Sequence, residues 1–374
     1  MIHKGPVWSY QTRGLAPEDM TISPAVGQAV EAGTNAVFTA NGVNVETWTW
    51  YKEGDPTPLS DGAEYSINGN ELTILNIDID DEGYYYCVGS NSSSPGETDQ
   101  TASARLLLRR LMGSWKLDYT LADSVASEWP GAAAYAGTMD DPNYAEGIDG
   151  GAIDILTTSA PYRYVMVPDT EDVYGFYPMG ITVSAWIKTT ETGWGAIASK
   201  ALRGETQQGW VMEHNGNTIY MTFRGGGSAN VNGGVADGQW HLVAGTYDPV
   251  TGITSVYASY EDEYGVNRIA SAQSGVNRNF TFADQPLRFG IETNDEDSDV
   301  NVYEGLIDEV RIYTYAMDIS EIAQDLFLPI YGGSVCAKPG YDDRYDLNDD
   351  CKTDIGDLAV LAGAWLSDGL FEGL

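Results

Sequence analysis

From about residue 29 to residue 313 the chain is cut into short β-type runs. Thr, Val, Ile and Tyr alternate with polar residues, and Gly, Asn and Asp clusters bound each run. Ile181-Thr182-Val183-Ser184-Ala185-Trp186-Ile187-Lys188 is one such run, with Val183, Ala185 and Ile187 on one face and Ser184, Trp186 and Lys188 on the other. Gly is abundant, at 43 of 374 residues, and long amphipathic helical patterns are nearly absent before the C-terminus. The chain is therefore read as mainly β, with tight turns and two or three domains.

Charge narrows the partners. Asp and Glu number 55 against 19 Lys and Arg, so the formal net charge is −36. Nucleic acid binding needs clustered Lys and Arg, and anionic membrane surfaces repel such a chain, so neither is expected as a partner. No apolar run approaches the ~20 residues of a bilayer span. A hydrophobic content of 43% with 24 Tyr and 10 Trp supplies several cores. The acidity favours a secreted or cell-surface protein whose carboxylates can hold divalent cations. No apolar export segment follows Met1, so residues 1–15 are read as a leader or the remnant of an upstream segment.

Residues 16–110 contain Leu72, Ile74, Ile77, Asp81, Gly83, Tyr85 and Cys87 in the spacing L-x-I-x-x-I-x-x-x-D-x-G-x-Y-x-C. This resembles the E-to-F strand signature of immunoglobulin-like domains. The resemblance implies a sandwich with Leu72, Ile74 and Ile77 pointing inward, Trp50 as the strand-C tryptophan and Tyr85 as the tyrosine corner. The strand-B cysteine position is Ala40, so the intersheet disulfide is expected to be missing and Cys87 to be a buried free thiol.

Residues 111–328 carry ordered phrases: Trp115-Lys116-Leu117-Asp118 with Leu121-Ala122-Asp123, Gly151-Ala152-Ile153-Asp154, Ile181 to Lys188, Asp237 to Asp248, and Tyr303 to Tyr313 with Ser320-Glu321-Ile322. Together they resemble a LamG-like jelly roll of the concanavalin A-like lectin/glucanase class. The paired carboxylates of the catalytic relatives, E-x-D-x-x-E or E-x-D-x-E on one strand, are missing; Glu304, Asp308 and Glu309 have other spacing. His3, His214 and His241 are scattered, so no catalytic constellation is expected. The resemblance implies a structural calcium with Asp123 and Asp308 as candidate ligands. Alternatively, Asp308 caps a turn or pairs with Arg311. Asp295, Asp297 and Asp299 alternate as ligands would, but lack the Gly and closing carboxylate of a calcium loop and are read as solvated. Trp194, Trp210 and Tyr220 are candidates by type for a sugar-binding surface.

Residues 329–335 are read as a linker and 336–374 as a terminal module. Asp346, Asn348, Asp350, Lys352, Asp354 and Asp357 fit positions 1, 3, 5, 7, 9 and 12 of a calcium loop, and a short helix with Leu358, Leu361 and Trp365 follows. The run resembles one dockerin repeat, with Cys351 in place of the loop Gly. It implies bound Ca²⁺ and leaves open a protein partner for this module. Cys336 and Cys351 lie 15 residues apart and can pair, which contributes roughly 3 kcal/mol to so small a unit. The expected function is a non-catalytic extracellular adhesion or carbohydrate-binding protein, with polysaccharide or a cell-surface glycan as ligand. The alternatives are an accessory part of a polysaccharide-degrading enzyme and a structural surface component without a sugar ligand.

Overall fold

The computed structural model describes residues 15–25, 27–128, 134, 136–155, 162–168, 180–204, 208–275, 285–294, 299–337 and 355–367. The chain divides into two compact units, Met1–Arg109 and Arg110–Leu374.

In the first unit the strands are β1 (Glu18–Ser23), β2 (Gly27–Val30), β3 (Ala36–Val43), β4 (Thr47–Lys52), β5 (Tyr65–Asn68), β6 (Glu71–Ile74), β7 (Gly83–Ser90), β8 (Thr98–Gln100) and β9 (Ala104–Leu108). They form a sheet ordered β1-β3-β6-β5 and a second ordered β2-β9-β7-β4, with β8 on β7. The alternation in β3, β6 and β7 sends Phe38, Ala40, Leu72, Ile74, Tyr85 and Cys87 into one core, all fully buried. Trp50, 1% exposed, stands opposite Cys87. The Tyr85 hydroxyl donates to the Asp81 carbonyl at 2.7 Å, which is the tyrosine corner. Cys87 is a free thiol, and burial pushes it up to about 12, so it packs as a small apolar group.

The second unit begins with β10 (Leu111–Trp115), a short helix α1 (Val125–Glu128), β11 (Tyr144–Glu146), β12 (Gly151–Asp154) and β13 (Val165–Val167). The central strands are β14 (Ile181–Lys188), β15 (Trp194–Arg203), β16 (Gln208–Asn215), β17 (Thr218–Phe223), β18 (Gly227–Asn232), β19 (His241–Asp248), β20 (Ile253–Glu261) and β21 (Asn267–Gly275). Then come β22 (Leu287–Phe289), β23 (Glu292–Asn294), β24 (Asp299–Val300) and β25 (Leu306–Tyr313). One sheet is ordered β11-β12-β25-β14-β19-β20-β21, with β10 on β25. The other is ordered β13-β22-β15-β16-β17-β18, with β23 beside β15. The sheets close on each other through Trp115 against Phe289 (ring centroids 5.1 Å) and Phe223 against Tyr247 (5.0 Å). Gly245 lies under Met221, where an added Cβ would meet Sδ at 2.6 Å.

β14 is buried on both faces, which its sequence alternation does not announce. Val183, Ala185 and Ile187 face the opposite sheet. Trp186 faces a helical segment made of α2 (Ile319–Glu321), a π turn (Ile322–Phe327) and α3 (Leu328–Tyr331), and stacks on Phe327 and Tyr331. Asp318 caps this segment through the amides of Ser320 and Glu321. The stretch expected as a linker is thus helical through Tyr331. Beyond it, the Cys336 amide donates to the Asn267 carbonyl at 2.8 Å, and the Ile269 amide donates to the Cys336 carbonyl at 3.1 Å. Helix α4 (Ile355–Ser367) covers the expected C-terminal helix, with Leu358 and Leu361 exposed. Among the described residues no helix is long and apolar enough to cross a membrane.

Candidate functional site

The outer face of the second sheet gathers the most informative side chains. Strand pairing sets them in rows, because residues directly opposite each other share a face. Trp194, Asn215, Thr218 and Asn232 form one row. Ala196, Glu213, Tyr220 and Asn230 form the next. In β17 the alternation is strict: Ile219, Met221 and Phe223 are buried, while Thr218, Tyr220 and Thr222 are not. Trp194 is 44% exposed and its ring lies 5.0 Å from that of Tyr220, tilted by 42°. The result is an aromatic pair on an open face bordered by the amides and hydroxyls of Asn215, Thr218, Asn230 and Asn232.

A charged floor lies beside the pair. Arg224 reaches Glu292 through Nε to Oε1 at 2.6 Å and Nη2 to Oε2 at 2.5 Å, a bidentate pair. The same Nη2 donates to Glu213 Oε2 at 3.2 Å. Asn301 Nδ2 donates to both carboxylates, at 3.2 and 3.1 Å, and the Thr222 hydroxyl donates to Glu213 at 3.1 Å. Glu213 and Glu292 are 2% and 0% exposed. Burial pushes the Glu213 carboxyl above its ordinary value, against the opposing pull of Arg224. Sequence reading missed this cluster. A strand Glu facing Thr222 and Arg224 across the next hairpin is its local signal, while Glu292 and Asn301 lie far along the chain.

The residues singled out from sequence are placed as follows. Of the three aromatic candidates, Trp210 is 1% exposed and belongs to the core, whereas Trp194 and Tyr220 come together on the open face. Asp308 is fully buried. Its carboxylate accepts from the amides of Ile148 at 2.9 Å, Asp149 at 3.4 Å and Glu309 at 2.8 Å, and burial pushes it up to about 7 against those amides. It caps the 147–151 turn, whose other end is held by Asp118 accepting from Gly151 at 2.6 Å. Arg311 pairs with Glu309, at 2.9 Å, rather than with Asp308. Asp123 accepts from the amides of Ser114 and Val125, each at 2.9 Å, so its side chain caps the turn leading into α1. Among the described residues no three His, Cys, Asp or Glu side chains converge as a metal site. Asp123 and Asp308 both accept hydrogen bonds from backbone amides, which is the turn-capping alternative for Asp308. Glu304 gives its amide to Glu191. His214 is buried against Tyr303, and His3 lies outside the described residues.

Asp295 and Asp297 lie outside the described residues, and Asp299 pairs with Thr293 in β24. Asp346, Asn348, Asp350, Cys351, Lys352 and Asp354 also lie outside them. Asp357, in the first turn of α4, is 5% exposed, and Cys336 is 4% exposed.

Comparison with known proteins matches residues 19–91 to the immunoglobulin domain family and residues 159–323 to the concanavalin A-like lectin/glucanases superfamily. Human hemicentin-1 is 31% identical over 99 residues, 26% of this chain and 2% of its own length. Chicken neural cell adhesion molecule 1 is 37% identical over 73 residues, 19% of this chain and 6% of its own length. The chain thus spans a few per cent of these curated relatives. Among solved structures, the botulinum neurotoxin serotype C1 binding domain aligns at 15% identity with a TM-score of 0.43, covering 57% of this chain and 50% of that one. Strands β10 to β12 lie in the same sheet as β25 and β14, so the sandwich extends N-terminally beyond the matched segment. This chain carries an immunoglobulin domain over 19–91 and a concanavalin A-like domain over 159–323.

Proposed function

We propose that this chain is a non-catalytic, extracellular adhesion or carbohydrate-binding protein whose jelly roll takes glycan on the Trp194–Tyr220 face. The observation that carries the reading is the aromatic pair itself, open to solvent and flanked by Asn215, Thr218, Asn230 and Asn232. Aromatic faces pack on the apolar faces of sugar rings, and a few fixed polar groups orient the hydroxyls. The adhesion side of the reading is supported by the likeness of 73 residues of the chain to an adhesion molecule. Glu213 and Glu292 are locked to Arg224 and buried, which favours a structural floor over an acid–base pair. The test is a glycan array with the wild type and Trp194→Ala. Glycan binding lost in the variant supports the reading. No glycan bound, or binding indifferent to Trp194, refutes it.

The C-terminal segment is proposed as a dockerin-like, calcium-stabilised module. Asp346, Asn348, Asp350, Asp354 and Asp357 would supply side-chain oxygens and Lys352 a carbonyl, a donor set suited to a hard cation. Ca²⁺ there would stabilise the fold rather than take part in chemistry. A Cys336–Cys351 bridge would brace it. What supports the bridge is that Cys336 does not stand as a free thiol, whereas Cys87 does. Docking of another protein through this module is an extension of the same reading, and a bridge of this kind accords with an oxidising, extracellular setting.

A further inference from the structure

A cleft of about 700 Å³ opens beside the end of the first sheet, between the 232–241 turn, the β20–β21 hairpin and the helical segment. Its size is that of a ligand pocket. Trp240, Tyr260 and Tyr331 supply aromatic surface to it, and Asp237 and Glu261 supply carboxylates. Among the described residues no Lys or Arg lines it. The imidazole in its wall, His241, has both nitrogens engaged: Nδ1 lies 2.7 Å from the Ser259 carbonyl and Nε2 lies 2.9 Å from Asp237 Oδ1. Asp237 is already paired with His241, so Glu261, set among the aromatic rings, is the carboxylate placed to meet an organic cation. A formal charge of −36 adds a field that repels anionic ligands and draws in cationic ones.

Asn232 connects this cleft to the aromatic face. It lines the cleft and also ends the row Trp194, Asn215, Thr218, Asn232. Three strand spacings, about 14 Å, separate Trp194 from Asn232, the scale of a short oligosaccharide. We infer that the cleft receives the protonated amino group of a sugar whose neighbouring units lie on the Trp194–Tyr220 face, so that the ligand class is a glycan bearing free amino sugars. This inference rests on the glycan-binding reading and names the ligand of that site. It excludes sulfated and uronic-acid glycans.

The test is calorimetric titration of the full chain at slightly acidic pH. The probes are a glucosamine oligomer, its fully N-acetylated counterpart and a glucose oligomer of equal length. The glucosamine oligomer should bind about tenfold more tightly than the other two, with the advantage shrinking as salt is raised. Glu261→Gln, at an exposed position, should weaken glucosamine oligomer binding about three- to fivefold and leave the N-acetylated oligomer unchanged. Trp240→Ala should remove most of the remaining advantage. Trp194→Ala should weaken all three probes. Equal affinities for the aminated and acetylated oligomers, or no response to both Glu261→Gln and salt, would overturn the amino-sugar inference and leave the glycan reading standing. Failure of every oligosaccharide to bind, with a lysine-rich peptide binding instead, would overturn both.

Discussion

Arg224→Met is the substitution with the best-defined consequence. Arg224 holds two buried carboxylates at once, Glu292 through two nitrogens and Glu213 through one. The carboxylate side chains are 3% and 0% exposed, and that of Arg224 is 12% exposed. Methionine keeps most of the stem volume and removes the charge, leaving two carboxylates that share the neutral donor Asn301, with Thr222 donating to Glu213. Stranding a buried charge in this way costs about 3–5 kcal/mol. For a unit of this size the melting temperature should fall by about 6–20 °C. The loss should also depend on pH. Burial raises the Glu213 pKa in the folded state, so the folded protein holds a proton that the unfolded chain has released. Stability then declines as pH rises from the ordinary carboxyl value, 4.5, through the raised one. Without Arg224 the folded value moves further up, so acidification should recover more stability in the variant than in the wild type. Scanning calorimetry of both proteins across that window measures the difference. A loss below about 1 kcal/mol that does not vary with pH would show that water screens the cluster and would refute the argument.

Other expectations follow from single contacts. Tyr85→Phe removes the hydrogen bond to the Asp81 carbonyl and should cost the first unit about 1–2 kcal/mol in urea melts, with no change in glycan binding. A40C should form a bridge with Cys87, detectable as loss of the free thiol in mass analysis, and should add up to about 4 kcal/mol; a persistent free thiol would place Ala40 off the strand-B cysteine position. Gly245→Val pushes atoms into Met221 and should destabilise the second unit by about 1–3 kcal/mol, read as a lowered melting temperature. Chelator should lower a thermal transition of the full chain, and the combined variant Asp346→Asn, Asp350→Asn should lack that response; a chelator-insensitive wild type would dismiss the calcium module.

Much of the fold is legible along the chain because its signals are local. The spacing from Leu72 to Cys87 encodes two inward-facing strands and a corner, and Phe38, Trp50 and Tyr85 meet in that core. The phrase from Tyr303 to Tyr313 becomes β25, the strand that pairs with β10, β12 and β14. Period-2 alternation is enough for such strands, because each buries at least one face. Sequence also nominates Trp194, Trp210 and Tyr220 as aromatic candidates, but not which of them reaches solvent. That choice depends on the parity of each position within its strand and on what covers the face, and parity puts Trp210 opposite Phe223, inside.

Composition and strand period by themselves determined that this is a mainly β chain of strongly acidic charge, and the resemblance of its motifs pointed to an immunoglobulin-like and a LamG-like segment in that order. Only the tertiary structure decided where its chemistry could reside. Glu213, Arg224, Glu292 and Asn301 meet because β23 runs parallel beside β15, 91 residues from it at the Leu202–Thr293 pairing, an association no local pattern announces. The fold also sets what surrounds Asp308 and Asp123, whose carboxylates accept from backbone amides of residues that no local spacing pairs with them.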